Sequence, residues 1–202
     1  MKLNIIVIFL LITGSVFAQE KTLLSSNITS TGWFGAPVIK YTSLNEKGSV
    51  IVGARGGYII NHALIVGAGM YRLVSNVELS ANKDIYPINY DNNLHLMYGG
   101  IEFGYVINPM ELFHYTFNTL LGVGNVSNNN IDGFNENGSD HHTGKSFFVI
   151  EPSAAIETNI TNYLRLEIGL SYRLSTGLNY TYISNKDLSS FIGFLSLKFG
   201  AF

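Results

Sequence analysis

Glu151, Glu157 and Glu167 recur at even spacing along two neighbouring segments, so an extended chain points all three to one side. Carboxylates gathered this way could share acid–base work, provided they are accessible and tuned apart from one another. The same side also collects Lys40, Arg55, Glu102, Arg165, Arg173 and Lys198, five bases and four acids in all. Mixed charges at that density pair with each other, and paired groups in a filled space offer no substrate route. The nine residues are therefore expected to form a charge network, with no catalytic residue among them. Asp140-His141-His142 has the donors for a metal ion. The neighbouring run Asp132-Gly133-Phe134-Asn135-Glu136-Asn137-Gly138 misses the order of ligands that a calcium loop needs. A solvated loop with no metal and no cofactor is the expectation there. Neither a Gly-x-Ser-x-Gly elbow nor a glycine-rich phosphate loop occurs. The chain has no cysteine, which excludes thiol catalysis, disulfides and thiolate-bound metal.

The elements that hold these residues follow from composition and period. The 202 residues are 47% hydrophobic and only 13% charged, where a soluble domain carries about 25% charged residues. There is too little charge to cover a wet surface and too much apolar content for a disordered chain. The formal net charge of -2 gives no basic excess, so nucleic acid is not an expected partner. Residues 1–18 read as a secretory signal peptide. Lys2 supplies the positive start, Ile5 to Ile12 an unbroken apolar run, and Val16-Phe17-Ala18 the cleavage site. The run is too short for a membrane-spanning helix, which needs roughly 20 apolar residues. Residues 19–33 are then a lead-in, and no later segment has the length to cross as a helix.

An exported, apolar, charge-poor chain can still enter a bilayer as a closed β-barrel, whose backbone groups pair between strands. The period supports this. From Tyr163 to Leu174, Leu164, Leu166, Ile168, Leu170, Tyr172 and Leu174 alternate with Arg165, Glu167, Gly169, Ser171 and Arg173. Segments 34–43, 49–59, 97–105, 112–123, 147–157 and 191–202 alternate in the same way. Segment 63–74 is apolar on both sides until Arg72, so its facing stays open. Pro152 cannot donate to a ladder, and a bulge is expected there. Eight strands result. The second, fourth and sixth connections are tight, while the long ones are 75–93, 127–145 and 175–188. Short turns at one end and long loops at the other are the habit of bacterial outer-membrane barrels. With eight strands both termini lie on the short-turn, periplasmic side. Of the 20 Asn after residue 18, 17 fall in the connections, where Asn tolerates turn conformations. Trp33, Phe34, Tyr58, Phe103, Tyr105, Phe113, Tyr115, Tyr163 and Phe199 fall at the periplasmic strand ends and are expected to form an interfacial girdle.

The signal peptide, the run Val52-Gly53-Ala54-Arg55-Gly56-Gly57-Tyr58 and the ending Leu197-Lys198-Phe199-Gly200-Ala201-Phe202 resemble small eight-stranded bacterial outer-membrane β-barrels of the Bacteroidetes type. The resemblance covers residues 30–202. It implies an all-β, antiparallel up-and-down barrel over 34–202, surrounded by outer-membrane lipid. It also implies that Phe202 serves the barrel-assembly machinery as a recognition signal, although Gly200 and Lys198 break the alternation that normally ends on that residue. An eight-stranded barrel is just wide enough for side chains to fill. The expected role is structural or a surface interaction through the three long loops, with a partner the sequence does not name. The rival roles are a small-solute or hydrophobic-ligand channel, an outer-wall lipid-modifying enzyme and a soluble lipid-binding barrel. For the enzyme only His95 and His114 offer themselves, and no partner Ser is identifiable. The soluble barrel would need charge outside, the inverse of the Tyr163–Leu174 pattern.

Overall fold

The structure is a computed structural model that describes residues 30–44, 47–77, 94–128, 144–179 and 183–202. It contains strands β1 (Thr31–Leu44), β2 (Lys47–Ile60), β3 (Leu64–Leu73), β4 (Leu94–Ile107), β5 (Phe113–Asn128), β6 (Lys145–Thr161), β7 (Leu164–Thr176) and β8 (Ser190–Ala201), with one helical turn α1 (Asn185–Leu188) ahead of β8. Each strand pairs antiparallel with its neighbour in sequence, and β8 returns to β1, from Trp33 opposite Ala201 to Thr42 opposite Ile192. Closure leaves no edge strand with unpaired backbone groups. The strand order is the expected up-and-down one. Among the described residues no helix is long and apolar enough to cross a membrane.

The alternation is written directly into exposure. Ile39 and Tyr41 on β1 lie outside while Lys40 and Thr42 are buried. On β7, Ile168 and Leu170 are outside while Glu167 and Arg173 are fully buried. The open question of β3 is resolved by its neighbours. Met70 lies opposite Ala54 and Gly99, on the outer parity, which sends Ile65, Tyr71 and Leu73 inward and turns Arg72 outward.

The tight connections have local causes. β2 and β3 are joined through Asn61 and His62, both at positive φ (53° and 59°), with the Ala63 N–H donating to the Ile60 carbonyl at 3.1 Å. Two successive residues at positive φ match the right-handed twist of the flanking strands. Asn108, at φ 56°, starts the β4–β5 turn. In these positions Asn finds the left-handed region that most side chains avoid.

No bulge forms at Pro152, contrary to expectation. The β6–β7 register runs unchanged from Ile150 opposite Leu174 to Ser153 opposite Ser171, and the ladder simply lapses at Glu151 and Pro152. Pro37 is treated alike: the β1–β8 ladder lapses at Ala36 and Pro37 and resumes in the same register. A ring nitrogen removes a donor, and each of these strands keeps its pairing on the other side, where Pro152 lies opposite Thr119 and Pro37 opposite Ala54. The β6 irregularity falls instead between Asn159 and Thr161, beside the turn.

One close approach limits what the wall tolerates. Gly100 lies opposite Gly122, and a Cβ on Gly100 would come within 2.2 Å of the Leu121 carbonyl oxygen. Gly100→Val should therefore force the β4 and β5 backbones apart and lower stability by roughly 1–3 kcal/mol. Urea titration of the vesicle-inserted barrel reads this, and an unchanged midpoint would contradict the contact.

Candidate functional site

The lumen is the candidate site, and it is layered. At the end where β1 begins and β8 ends, Phe34, Ala36, Ile59, Ile65 and Val106 make an apolar floor on which Phe202 packs. Phe34 is only 4% exposed, so it faces in and leaves the expected girdle. The other eight girdle aromatics are present on the outside, Trp33, Tyr58 and Tyr163 among them. At the loop end a second apolar layer includes Leu44, Leu73, Leu96, Phe147 and Leu188. The charged residues lie between these layers. All nine anticipated residues are buried there.

Neighbouring strands supply part of the pairing, as where His114 on β5 lies directly opposite Glu157 on β6, and elsewhere they oppose like charges. Glu157 on β6 lies directly opposite Glu167 on β7, and Arg165 opposite Lys198. Like charges so placed are destabilising unless others intervene, and they do, from adjacent strands and from across the barrel. Glu157 accepts from His114 Nε2 at 2.9 Å and Arg165 at 3.1 Å, and from Lys198. Glu167 accepts from Arg55 on β2 and has Lys198 at 3.5 Å. Arg55 also has Glu102 at 3.6 Å, and Tyr71 donates to Glu102 at 2.8 Å. Glu151 accepts from Lys40 at 2.6 Å, Tyr98 at 2.8 Å and Ser171 at 2.9 Å. Lys40 sits 3.2 Å from the Tyr71 ring centroid, which joins the Glu151 and Glu102 groups. Lys198 joins those of Glu157 and Glu167.

Three placements differ from the sequence reading. Arg173 was expected in the charge network, but its Nε donates to the Leu188 carbonyl at 2.8 Å, so it holds α1, and among the described residues no carboxylate pairs with it. His114 is fully buried on Glu157, which removes it from the outer wall. Tyr71 and Tyr98 enter the network unannounced, Tyr71 because the facing of its strand was open. Arg165 meets Glu157 and also lies 3.9 Å from the Phe202 ring centroid.

The loop between β7 and β8 is not a free display loop along its described length. Leu178, Ile183 and Leu188 are buried at the loop end of the barrel. Asn185 Oδ1 accepts from the Leu178 N–H at 2.9 Å. Ser184 and Asp187 form a reciprocal capping box at the start of α1. The Ser184 hydroxyl and N–H hold the Asp187 carboxyl below its usual range. The segment is thus a lid whose apolar side chains face down. The other two long connections lie largely outside the described residues, at 78–93 and 129–143, and with them Asp132, Asn135, Asn137, Asp140, His141 and His142. Among the described residues no group of three His, Asp or Glu side chains could hold a metal ion.

Chemically the lumen is a brace. Each carboxylate is tied to a cation or a phenol through at least one oxygen, while Glu167 Oε1 is buried without a hydrogen-bond partner among the described residues. A cavity bounded by Lys40, Arg55, Tyr71, Glu102 and Glu151 has a volume of only 20 Å³, about the space one water molecule needs.

No protein-family model matches this sequence, and no curated protein matches it. Among solved structures, the chain is similar to Neisserial surface protein A, with 14% identity and a TM-score of 0.57 over 85% of this chain and 96% of that one. It is also similar to the N-terminal β-barrel domain of Pseudomonas aeruginosa OprF, with 12% identity and a TM-score of 0.55 over 84% and 96%. The shared feature is the fold, a small closed eight-stranded barrel.

Proposed function

We propose that this protein is an outer-membrane β-barrel with a sealed lumen, and that its work is structural or a surface interaction made at its loop end. The observation that carries the reading is an inverted distribution of polarity. Ile39, Ile168, Leu170, Val123 and Phe148 stand exposed on the wall, while five bases and four acids are buried within. In water that arrangement wastes apolar surface and buries charge. In a bilayer it places apolar side chains against acyl chains. The eight exterior aromatics then mark the periplasmic interface, and the termini and short turns lie on that side.

Export follows from the signal peptide at residues 1–18, and Phe202 gives the barrel-assembly machinery its terminal aromatic. The glycine-aromatic β2 and this ending support a Bacteroidetes-type barrel. The charge layer and the α1 lid favour a plug over a solute channel, and the pairing of every lumen carboxylate with a cation or a phenol favours a brace over an enzyme. Connections 75–93 and 127–145 are the surfaces left for a partner.

Fractionation tests the location. The protein should partition with outer membranes and migrate faster on gels before heating than after it. Recovery in the soluble periplasm would overturn the reading. In planar bilayers pure protein should give no large, stable single-channel currents, and such currents would replace the plug with a channel. The lid has its own test. Leu188→Ala removes a fully buried side chain and should lower stability by roughly 2–5 kcal/mol, read by loss of heat-modifiable migration at lower urea.

A further inference from the structure

On the outer wall, across β2 to β6, lies a groove of about 1140 Å³. Its floor is made of the small outward residues Ala54, Gly56, Ala68 and Gly99, and its flanks of Met70, Met97 and Val123. Register orders the groove into rows. Ala54, Met70, Gly99 and Val123 lie side by side on four strands. One step toward the loops, Arg72, Met97, Asn125 and Ser146 form the next row. A step further, His95 lies opposite Ser127. The wall thus changes from apolar to polar at one end of a single depression. From Ala68 to Arg72 is four residues, about 13 Å along the strand.

We infer that this groove holds an acyl chain of an outer-leaflet lipid whose phosphate is bound at the rim by Arg72, His95, Asn125 and Ser127. The inference rests on the membrane reading above. Among the described residues Arg72 has no partner, and the groove lining contains Arg72 and the lumen residue Arg55 but no carboxylate. An unpaired guanidinium at the headgroup level is complementary to phosphate, which it can grip through two parallel N–H bonds. An ordinary interfacial Arg would merely extend to water. Here a depression floored by Ala54, Gly56, Ala68 and Gly99 begins directly beneath it, and thioether side chains flank it that adapt to an irregular occupant. Ser127 is the partner for His95 that sequence reading missed, because β5 runs on to Asn128 where a loop was expected. The lining holds no acid to orient the imidazole, so the pair serves as hydrogen-bonding groups for the headgroup, not as a hydrolytic dyad.

The test uses full-length folded protein in neutral-detergent micelles, with dioleoyl phosphatidic acid and dioleoyl phosphatidylcholine as competing probes and native mass spectrometry as readout. Wild type should retain phosphatidic acid over phosphatidylcholine by roughly tenfold, about what one charge-assisted bidentate contact supplies. Arg72→Ala should bring that ratio close to one. Ala68→Phe fills the floor and should lose both lipids. Leu170→Phe on the opposite wall should change neither. Excess inorganic phosphate should leave the lipid in place, because phosphate alone lacks the chain. Folding of each variant is confirmed by heat-modifiable migration. If folded Arg72→Ala and Ala68→Phe retain lipid as wild type does, or if inorganic phosphate displaces it, the site is wrong while the barrel reading stands. If the protein stays soluble without detergent, the membrane reading falls and this one with it.

Discussion

Glu157→Ala should be the most damaging single change in the barrel interior, lowering stability by roughly 3–5 kcal/mol, the penalty for removing one partner of a buried ion pair. Glu157 is 1% exposed and accepts from His114, Arg165 and Lys198. Its loss leaves three donors facing one another in a space with apolar clusters on both sides, and it sharpens the repulsion between Arg165 and Lys198, which lie opposite each other. Urea unfolding of protein inserted in lipid vesicles measures the change. Arg165→Ala should fall at the lower end of the range, because Lys198 still pairs with Glu157 and His114 still hydrogen-bonds it, and only the Phe202 and His114 contacts are lost besides. Where Glu157→Ala does not fold, Lys40→Met supplies the same test on the Glu151 group. Combining Lys40→Met with Glu151→Leu should recover stability, since a whole ion pair replaced by apolar side chains is often neutral. If either single change folds as stably as wild type, the lumen is wet and the brace does not exist.

Ile168→Arg should lower folding stability in vesicles by roughly 2–4 kcal/mol, the range for a cation near the bilayer midplane of a barrel wall. Ile168 is 58% exposed, and its row is aliphatic across five strands: Ile156, Ile168, Leu195, Ile39 and Val52 lie side by side. An Arg there has no acid to pair with in its own row. Leu166→Arg should lose less, because Leu166 lies one step nearer the terminal end, where the side chain can reach the interface. A loss below about 0.5 kcal/mol for Ile168→Arg, within the range of ordinary surface changes, would contradict a lipid-facing wall. The same substitution in micelles against thick-bilayer vesicles separates solvent from packing: the penalty should shrink where water reaches the row.

Barrel class, strand number and the inward set Lys40, Arg55, Glu102, Glu151, Glu157, Arg165, Glu167, Arg173 and Lys198 were legible from sequence because alternation is a local property. Successive side chains must leave a strand on opposite faces, so one well-marked segment such as 163–174 orients its whole length. Where both parities are apolar, as in 63–74, that logic is silent, and Arg72 and Tyr71 received their sides only from pairing with β2 and β4. Phe34 was misread because aromatic type and position at a strand end say nothing of parity. Strand ends were placed too short, which hid Ser127 and the outer part of the wall groove.

What the sequence determined alone was therefore a set of faces and the lengths of the links between them. What only the tertiary structure decided was which charges meet across the barrel. Lys40 reaches Glu151 and Arg55 reaches Glu167 across sequence separations of 111 and 112 residues, while the neighbours in the sheet place Glu157 against Glu167. Diameter, strand stagger and closure are properties of all eight strands together, so the partner of an inward side chain is set by the ring and not by its own segment. The groove on the wall and the lid on the lumen have the same origin. Each needs strands far apart in the chain to stand side by side before small residues can make a depression or Leu178, Ile183 and Leu188 can find a surface to cover.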